Sequence, residues 1–240
     1  MKTQRKPQPA YRNPKLSVER RVKDLLSRMT LKEKVAQMLC IWQQKSRTMV
    51  DEKGRFDLQK AKSHFKDRAG LGQVGRPSDA GNGLNAREMA ELTNDIQKFF
   101  VENTRLGIPV VFHEECLHGH AAVDGTSFPQ PIGLGATFDP ELVRRLFEMT
   151  AAEARARGTH QALTPVVDVA REPRWGRVEE TFGEDPYLVS RMGIAAVQGF
   201  QGDATFQDKQ HVIATLKHFA AHGQPESGTN CAPVNVSERV

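Results

Sequence analysis

The sequence predicts a parallel α/β fold. Short apolar, β-branched runs recur through the middle of the chain, capped helical stretches separate them, and the runs are continuously apolar rather than alternating. Buried strands joined by helices are the pattern of a parallel sheet, either closed into a barrel or open and doubly wound.

Residues 1–15 carry Pro7, Pro9 and Pro14 among basic and polar side chains, which disfavours regular structure and reads as a flexible basic arm; residues 16–240 read as one domain. Val22, Leu25, Leu26 and Met29, then Val35, Met38 and Leu39, recur at helical spacing, and Thr30 with Glu33 predicts a capping box between two helices. Ile108-Pro-Val-Val-Phe-His113 is the first clear strand; Leu163 to Val169 and His211 to Leu216 are similar runs. Asp139-Pro140-Glu141 and Asp185-Pro186 each supply an N-cap carboxylate followed by proline at the first helical position, and Gly158 and Gly199 are expected to close those helices. Ser237-Glu238-Arg239 reads as the cap of another helix with only Val240 after it, so the domain is expected to continue past this sequence.

With 38% hydrophobic and 26% charged residues in 240, the composition suits one sizeable globular domain. No apolar run approaches the roughly 20 residues of a membrane helix, and Met1 to Ala10 is basic with no apolar segment behind it, so neither a membrane span nor a signal peptide is read and no compartment is assigned. The net charge of +5 invites a nucleic-acid reading, but its distribution opposes one. Residues 1–28 hold nine Lys and Arg against Glu19 and Asp24, leaving 25 basic and 27 acidic residues in a nearly neutral remainder. Cys40, Cys116 and Cys231 are odd in number and contain no C-x-x-C pair, so they read as small packing residues, with no disulfide framework and no zinc pattern.

Gly70-Leu-Gly72-Gln-Val-Gly75 matches the G-x-G-x-x-G dinucleotide pattern, yet Arg76-Pro77-Ser78-Asp79 is a poor helix start, so nucleotide binding is not expected. His113-Glu-Glu-Cys-Leu-His118-Gly-His120 suggests a metal cluster, but zincin spacing needs histidines four apart on one helical face. The alternative is a strand end that delivers Glu114 or Glu115 to a polar pocket at the carboxyl edge of the sheet. Arg171-Glu-Pro-Arg-Trp-Gly-Arg177-Val-Glu-Glu-Thr-Phe-Gly-Glu-Asp-Pro186 mostly reads as a salt-bridged loop. Arg177 stands apart, because a planar guanidinium suits vicinal sugar hydroxyls or a carboxylate that it holds in place. Lys217 and His218 follow a strand; adjacent residues there point to opposite faces, so a shared ligand requires irregular backbone.

Taken in order, I-P-V-V-F-H-E-E-C-L-H-G, F-P-Q-P-I-G-L-G-A-T-F-D-P, R-E-P-R-W-G-R-V-E-E-T-F-G-E-D-P-Y-L and K-H-F resemble the amino-terminal domain of glycoside hydrolase family 3, of the β-glucosidase and β-xylosidase type, from about Leu16 to Val240. The resemblance implies a TIM-like (β/α)8 barrel, incomplete because the chain stops before the last strands. It implies the amino-terminal part of a retaining exo-β-glycosidase acting on β-linked glucose or xylose, with an oligosaccharide or β-glycoside substrate and no cofactor. The family lines its terminal-sugar subsite with residues that fall here on Glu115, Arg177, Lys217 and His218.

Many β-glucosidases of the family have Asp where this chain has Glu115, and many carry an Arg shortly after Lys-His, where this chain reads Glu226-Ser-Gly-Thr229. The Asp nucleophile typically follows a Ser on a later strand; Ser78-Asp79 does not match, so the nucleophile is expected beyond Val240 and the acid/base later still, in the carboxyl-terminal remainder of the same polypeptide. The chain alone is expected to be inactive. Non-proline cis peptides are implied near Lys217-His218. A β-N-acetylglucosaminidase is the alternative within the family, disfavoured because Gln224-Pro-Glu-Ser-Gly-Thr stands where a D-S-H dyad is expected; a non-catalytic carbohydrate-binding module on the same scaffold is the alternative outside catalysis.

Overall fold

The computed structural model describes residues 8–203, 205 and 208–239. Helices α1 (Val18–Arg28) and α2 (Leu31–Ala36) lead into strand β1 (Cys40–Ile41), and the short helices α3 (Lys45–Thr48) and α4 (Leu58–His64) precede β2 (Gln73–Gly75). Helix α5 (Ala86–Asn103) precedes β3 (Val111–Glu114), α6 (Pro131–Gly135) and α7 (Pro140–Ala156) precede β4 (Gln161–Ala162), and α8 (Pro186–Gln201) follows. The strands pair in sequence order, all parallel. Beyond α8 the chain adds a fifth strand position, where Ile213 bridges Gln161 and Lys217 bridges Val166.

Register decides between the two sheet architectures that the sequence left open. Ile41 is level with Val74, Val74 with Phe112, and Glu114 with Ala162, so these residues share one face. On that face Val74 and Phe112 pack with Met89, Leu92, Ile96 and Phe99 of α5, while Ala162 packs with Phe147 of α7 and Met192, Ala196 and Phe200 of α8. The opposite face presents Gln73, His113, Gln161 and Thr215. His113 Nδ1 lies 3.1 Å from Gln73 Oε1, and Gln161 Nε2 donates to Thr215 Oγ1 at 2.8 Å. Helices on one face only make this a barrel wall rather than a doubly wound sheet. The wall is open, since β1 pairs only with β2 among the described residues. Val18, Val22, Leu26, Leu31, Val35, Met38 and Leu39, along α1, α2 and the turn before β1, remain exposed.

Local chemistry sets the helix starts. Thr30 and Glu33 form the expected capping box, Asn85 and Glu88 form a second, and Asp139 and Asp185 accept from the first-turn N–H groups of α7 and α8, each with proline next in sequence. Gly158, at φ +101°, lies just past the end of α7 as expected. Gly199 does not end its helix. It lies inside α8, where a Cβ would stand 2.3 Å from the backbone oxygen of Arg144 in α7, and Gly202 at φ +60° takes the terminal position. Close approach of two helices, not chain reversal, requires that glycine.

The run from Leu163 to Val169 is less regular than its composition suggests. Pairing of β4 ends at Ala162, a cis Thr164-Pro165 bond follows, and Val166 pairs again with Lys217. The glycine-rich match contains β2 itself instead of following a strand, which removes the nucleotide-loop geometry. Among the cysteines only Cys116 is a buried packing residue; Cys40 and Cys231 are exposed, and all three are free. Of the residues read as an arm, 1–7 lie outside the described residues. Ala10–Arg12 form a 3₁₀ turn whose Tyr11 hydroxyl donates to the Leu106 oxygen at 2.7 Å. Among the described residues no helix is long and apolar enough to cross a membrane.

Candidate sugar-binding site

The barrel wall ends, at its carboxyl edge, in a group of charged side chains delivered by three segments. The first is the end of β3. Glu114 points toward the helices and is fully buried; Ser78 donates to it through its N–H at 2.8 Å and its hydroxyl at 2.7 Å, and His120 Nε2 lies 3.6 Å away. That carboxylate pins the loop after β2. Glu115, one residue on, turns to the inner face, so of the two candidates at this strand end it is Glu115 that reaches the mouth.

The second segment is the fifth strand position. Lys217 Nζ donates to Glu115 Oε2 at 3.0 Å. The Lys217-His218 and Phe219-Ala220 peptides are both cis and neither involves proline, the irregular backbone that the resemblance implies. His218 reaches the same site as Lys217: its Nδ1 lies 2.7 Å from Asp168 Oδ2, which also accepts the His218 backbone N–H at 3.2 Å.

The third segment is the loop after Asp168. Trp175 is buried and donates Nε1 to Asn230 Oδ1 at 3.1 Å, anchoring the loop. The next turn is a 3₁₀ helix, Val178–Glu180, which places residues three apart on one side. Arg177 therefore meets Glu180 side-on, with Nε to Oε1 and Nη2 to Oε2 both at 2.7 Å. Arg177 Nη2 is also 3.1 Å from His218 Nε2, and its Nη1 is 3.4 Å from His222 Nε2.

An arginine only donates, so the Nε2 atom that faces it must accept. His218 then carries its proton on Nδ1, where Asp168 receives it, and this single tautomer satisfies both neighbours. Burial pushes the Glu180 carboxyl up, but the Arg177 guanidinium outweighs it and holds the group below its ordinary range; Glu180 in turn raises Arg177. Burial, with the Arg177 guanidinium adding to it, lowers His222.

The four residues read from the sequence form two pairs, Glu115 with Lys217 and Arg177 with His218, joined through the Lys217-His218 peptide. Asp168, Glu180 and His222 join them and had not been singled out as site residues. Asp168 closes the apolar run L-T-P-V-V-D-V, and a carboxylate at a strand end was the available signal. The histidines that suggested a metal cluster go separate ways: His113 to Gln73, His118 to the Phe128 oxygen at 3.0 Å, and His120 to Glu114. Among the described residues no three His, Cys, Asp or Glu side chains form a metal-binding group.

Residues 30–240 match the Glycosyl hydrolase family 3 N terminal domain. A β-xylosidase of Formosa agariphila is 43% identical over 159 residues, covering 63% of this chain and 21% of that protein. A periplasmic β-glucosidase/β-xylosidase of Dickeya chrysanthemi is 35% identical over 226 residues, covering 91% and 34%. Among solved structures, a β-glucosidase from Erythrobacter marinus superposes with a TM-score of 0.83 at 37% identity over 95% of this chain and 29% of its own. The β-glucosidase of Listeria innocua in complex with glucose gives 0.75 at 35% over 93% and 30%. The chain thus spans about a third or less of the length of these relatives. Over residues 30–240, which match part of that N-terminal domain, the chain belongs to glycosyl hydrolase family 3.

Proposed function

We propose that this chain supplies the terminal-sugar subsite of a retaining exo-β-glycosidase that removes β-linked glucose or xylose from oligosaccharides or glycosides. The convergence of Glu115, Lys217, His218 and Arg177 at the carboxyl edge of the barrel wall carries this reading. A pyranose offers hydroxyls that donate to a carboxylate and accept from ammonium and guanidinium groups, so one ring can engage Glu115, Lys217 and Arg177 together. Glu115 reaches further than the Asp usual in the β-glucosidases, which bears on whether the ring is a hexose or a pentose.

Retention needs two carboxyl groups about 5 to 5.5 Å apart, one attacking the anomeric carbon and one protonating the leaving oxygen, before water hydrolyses the glycosyl-enzyme. The three carboxylates here are each engaged: Glu115 by Lys217, Asp168 by His218, Glu180 by Arg177. They hold and orient. The Asp nucleophile and the acid/base are assigned to a continuation of the polypeptide past Val240, so the chain alone binds without cleaving. That continuation would complete the barrel over the exposed apolar row of α1 and α2 and over Ile213, Leu216 and Phe219 at the other edge.

Assaying the 240-residue chain and a longer protein that contains it against aryl β-glucoside and β-xyloside tests the proposal. Sugar release by the longer protein alone is expected. Sugar that is bound but cleaved by neither would favour the non-catalytic binding module.

A further inference from the structure

Arg177 is held on more sides than its pairing with Glu180 requires. A guanidinium carries five N–H donors in one plane. Nε and one Nη2 N–H go to Glu180, the second Nη2 N–H goes to His218 Nε2 at 3.1 Å, and one Nη1 N–H goes to His222 Nε2 at 3.4 Å, the longest of the four contacts. Among the described residues this leaves a single Nη1 N–H for a sugar hydroxyl. A planar fork fixed at its other corners offers that donor in one direction only. His222 shares the nitrogen that carries it.

The chain is built to hold His222 in this place. Ala221 before it has a left-handed backbone uncommon for a non-glycine residue, with φ 66°. Gly223 after it lies against the Val169 backbone, where a Cβ would stand 2.1 Å from the Val169 oxygen. The Gly223 oxygen accepts the N–H groups of Arg171 and Glu172 at 3.0 and 3.1 Å, so the start of the Arg177 loop is tied to the residue that follows His222. The imidazole stands edge-on to Trp175 and to His218, with ring centroids 4.9 and 4.6 Å away. Because Arg177 only donates, His222 Nε2 must accept, and its proton sits on Nδ1. A second proton on the ring would set donor against donor and cation against cation. Asp168 and Glu180, the carboxylates within reach, favour that proton, yet His218 and Arg177 already engage them. Burial and the guanidinium prevail, and they hold His222 below its ordinary 6.5.

We propose that His222 is the positioning residue that aims the one uncommitted N–H of Arg177 at the terminal sugar, and that it does so only while neutral, so that the grip loosens in acid. The proposal rests on the sugar-grip reading above, and His222 acts through Arg177 rather than on the sugar itself. Inhibition by free glucose and xylose, measured from about pH 7.5 to about pH 4.5 in the longer protein that contains this chain, tests it with wild type, His222→Ala and His222→Gln. At about pH 7.5, His222→Ala should weaken inhibition about three- to tenfold, the range for one lost hydrogen bond. His222→Gln, whose amide oxygen takes the place of Nε2 and does not titrate, should restore most of that loss. A neutral acceptor is complete above its pKa and lost as pH falls through it. Toward about pH 4.5 the wild type should therefore weaken relative to His222→Gln and converge on His222→Ala. Parallel pH profiles for wild type and His222→Gln would overturn the proposal, as would unchanged inhibition in His222→Ala. If the wild-type protein cleaves no β-glycoside, the catalytic reading fails, and calorimetric titration with the two sugars over the same pH range decides the role of His222 separately. Convergence of wild type on His222→Ala in acid supports that role; parallel profiles, or no binding by the wild type, overturn it.

Discussion

Asp168 receives two hydrogen bonds from His218, one from its backbone N–H and one from Nδ1, while the far side of the same ring faces Arg177. A carboxylate that is 5% exposed thus sets both the position of a peptide and the tautomer of its side chain. In the active, longer protein, Asp168→Ala should lower kcat/KM roughly 10- to 150-fold, the range for losing one charge-assisted hydrogen bond. Asp168→Asn keeps a carbonyl oxygen for Nδ1–H and should retain more activity. Steady-state kinetics on both variants checks this; wild-type values in Asp168→Ala would show that the contact does not orient His218.

The Arg177–Glu180 pair is bidentate and only partly exposed, so it fixes the guanidinium before any sugar arrives. Glu180→Gln should weaken monosaccharide inhibition, and a double-mutant cycle with Arg177→Ala should give a coupling of about 0.5 to 3 kcal/mol. Additive effects would make the pair incidental.

Gly199 supplies a stability test of opposite sign to ordinary helix propensity. Gly→Ala in an exposed helix interior gains about 1 kcal/mol. Here the added methyl would press on the Arg144 backbone, so Gly199→Ala should lose about 1 to 3 kcal/mol in urea denaturation. A stabilised variant would mean that α7 and α8 are not packed as described.

Glu33 predicts an acid-sensitive contact between α2 and the end of α5. Arg105 Nε donates to it at 2.6 Å and the Thr30 N–H at 2.8 Å, and mainly through Arg105, against the opposing effect of burial, its carboxyl falls from the ordinary 4.5 to about 2. A carboxylate lowered by folding contributes stability that is complete above the unfolded value and disappears as pH falls through the folded one. The stability difference between wild type and Glu33→Gln should therefore be largest above about pH 5 and shrink toward about pH 2. A difference that is constant across that range would contradict the pairing.

Capping motifs and glycines were legible where the chemistry is local: Thr30–Glu33, Asp139-Pro140 and Asp185-Pro186 each start a helix. Gly199 misled because a glycine demanded by a neighbouring helix looks, in sequence, like one demanded by a chain end. Arg177 was read correctly as a group able to hold a carboxylate, but its partner Glu180 hides among Glu172, Glu179 and Glu184. Only the 3₁₀ turn brings position 180 to Arg177. Asp168 lies 50 residues from His218, and no local pattern joins positions that a parallel sheet brings together.

The most direct test of the sugar grip is kcat/KM toward aryl β-glucoside and β-xyloside for the longer protein, compared with its Arg177→Ala and Lys217→Ala variants. The wild type should cleave at least one substrate, and each variant should lose about 2 to 4 kcal/mol of transition-state stabilisation. Turnover at the wild-type rate in either variant would contradict the assignment of Glu115, Arg177, Lys217 and His218 as the terminal-sugar subsite.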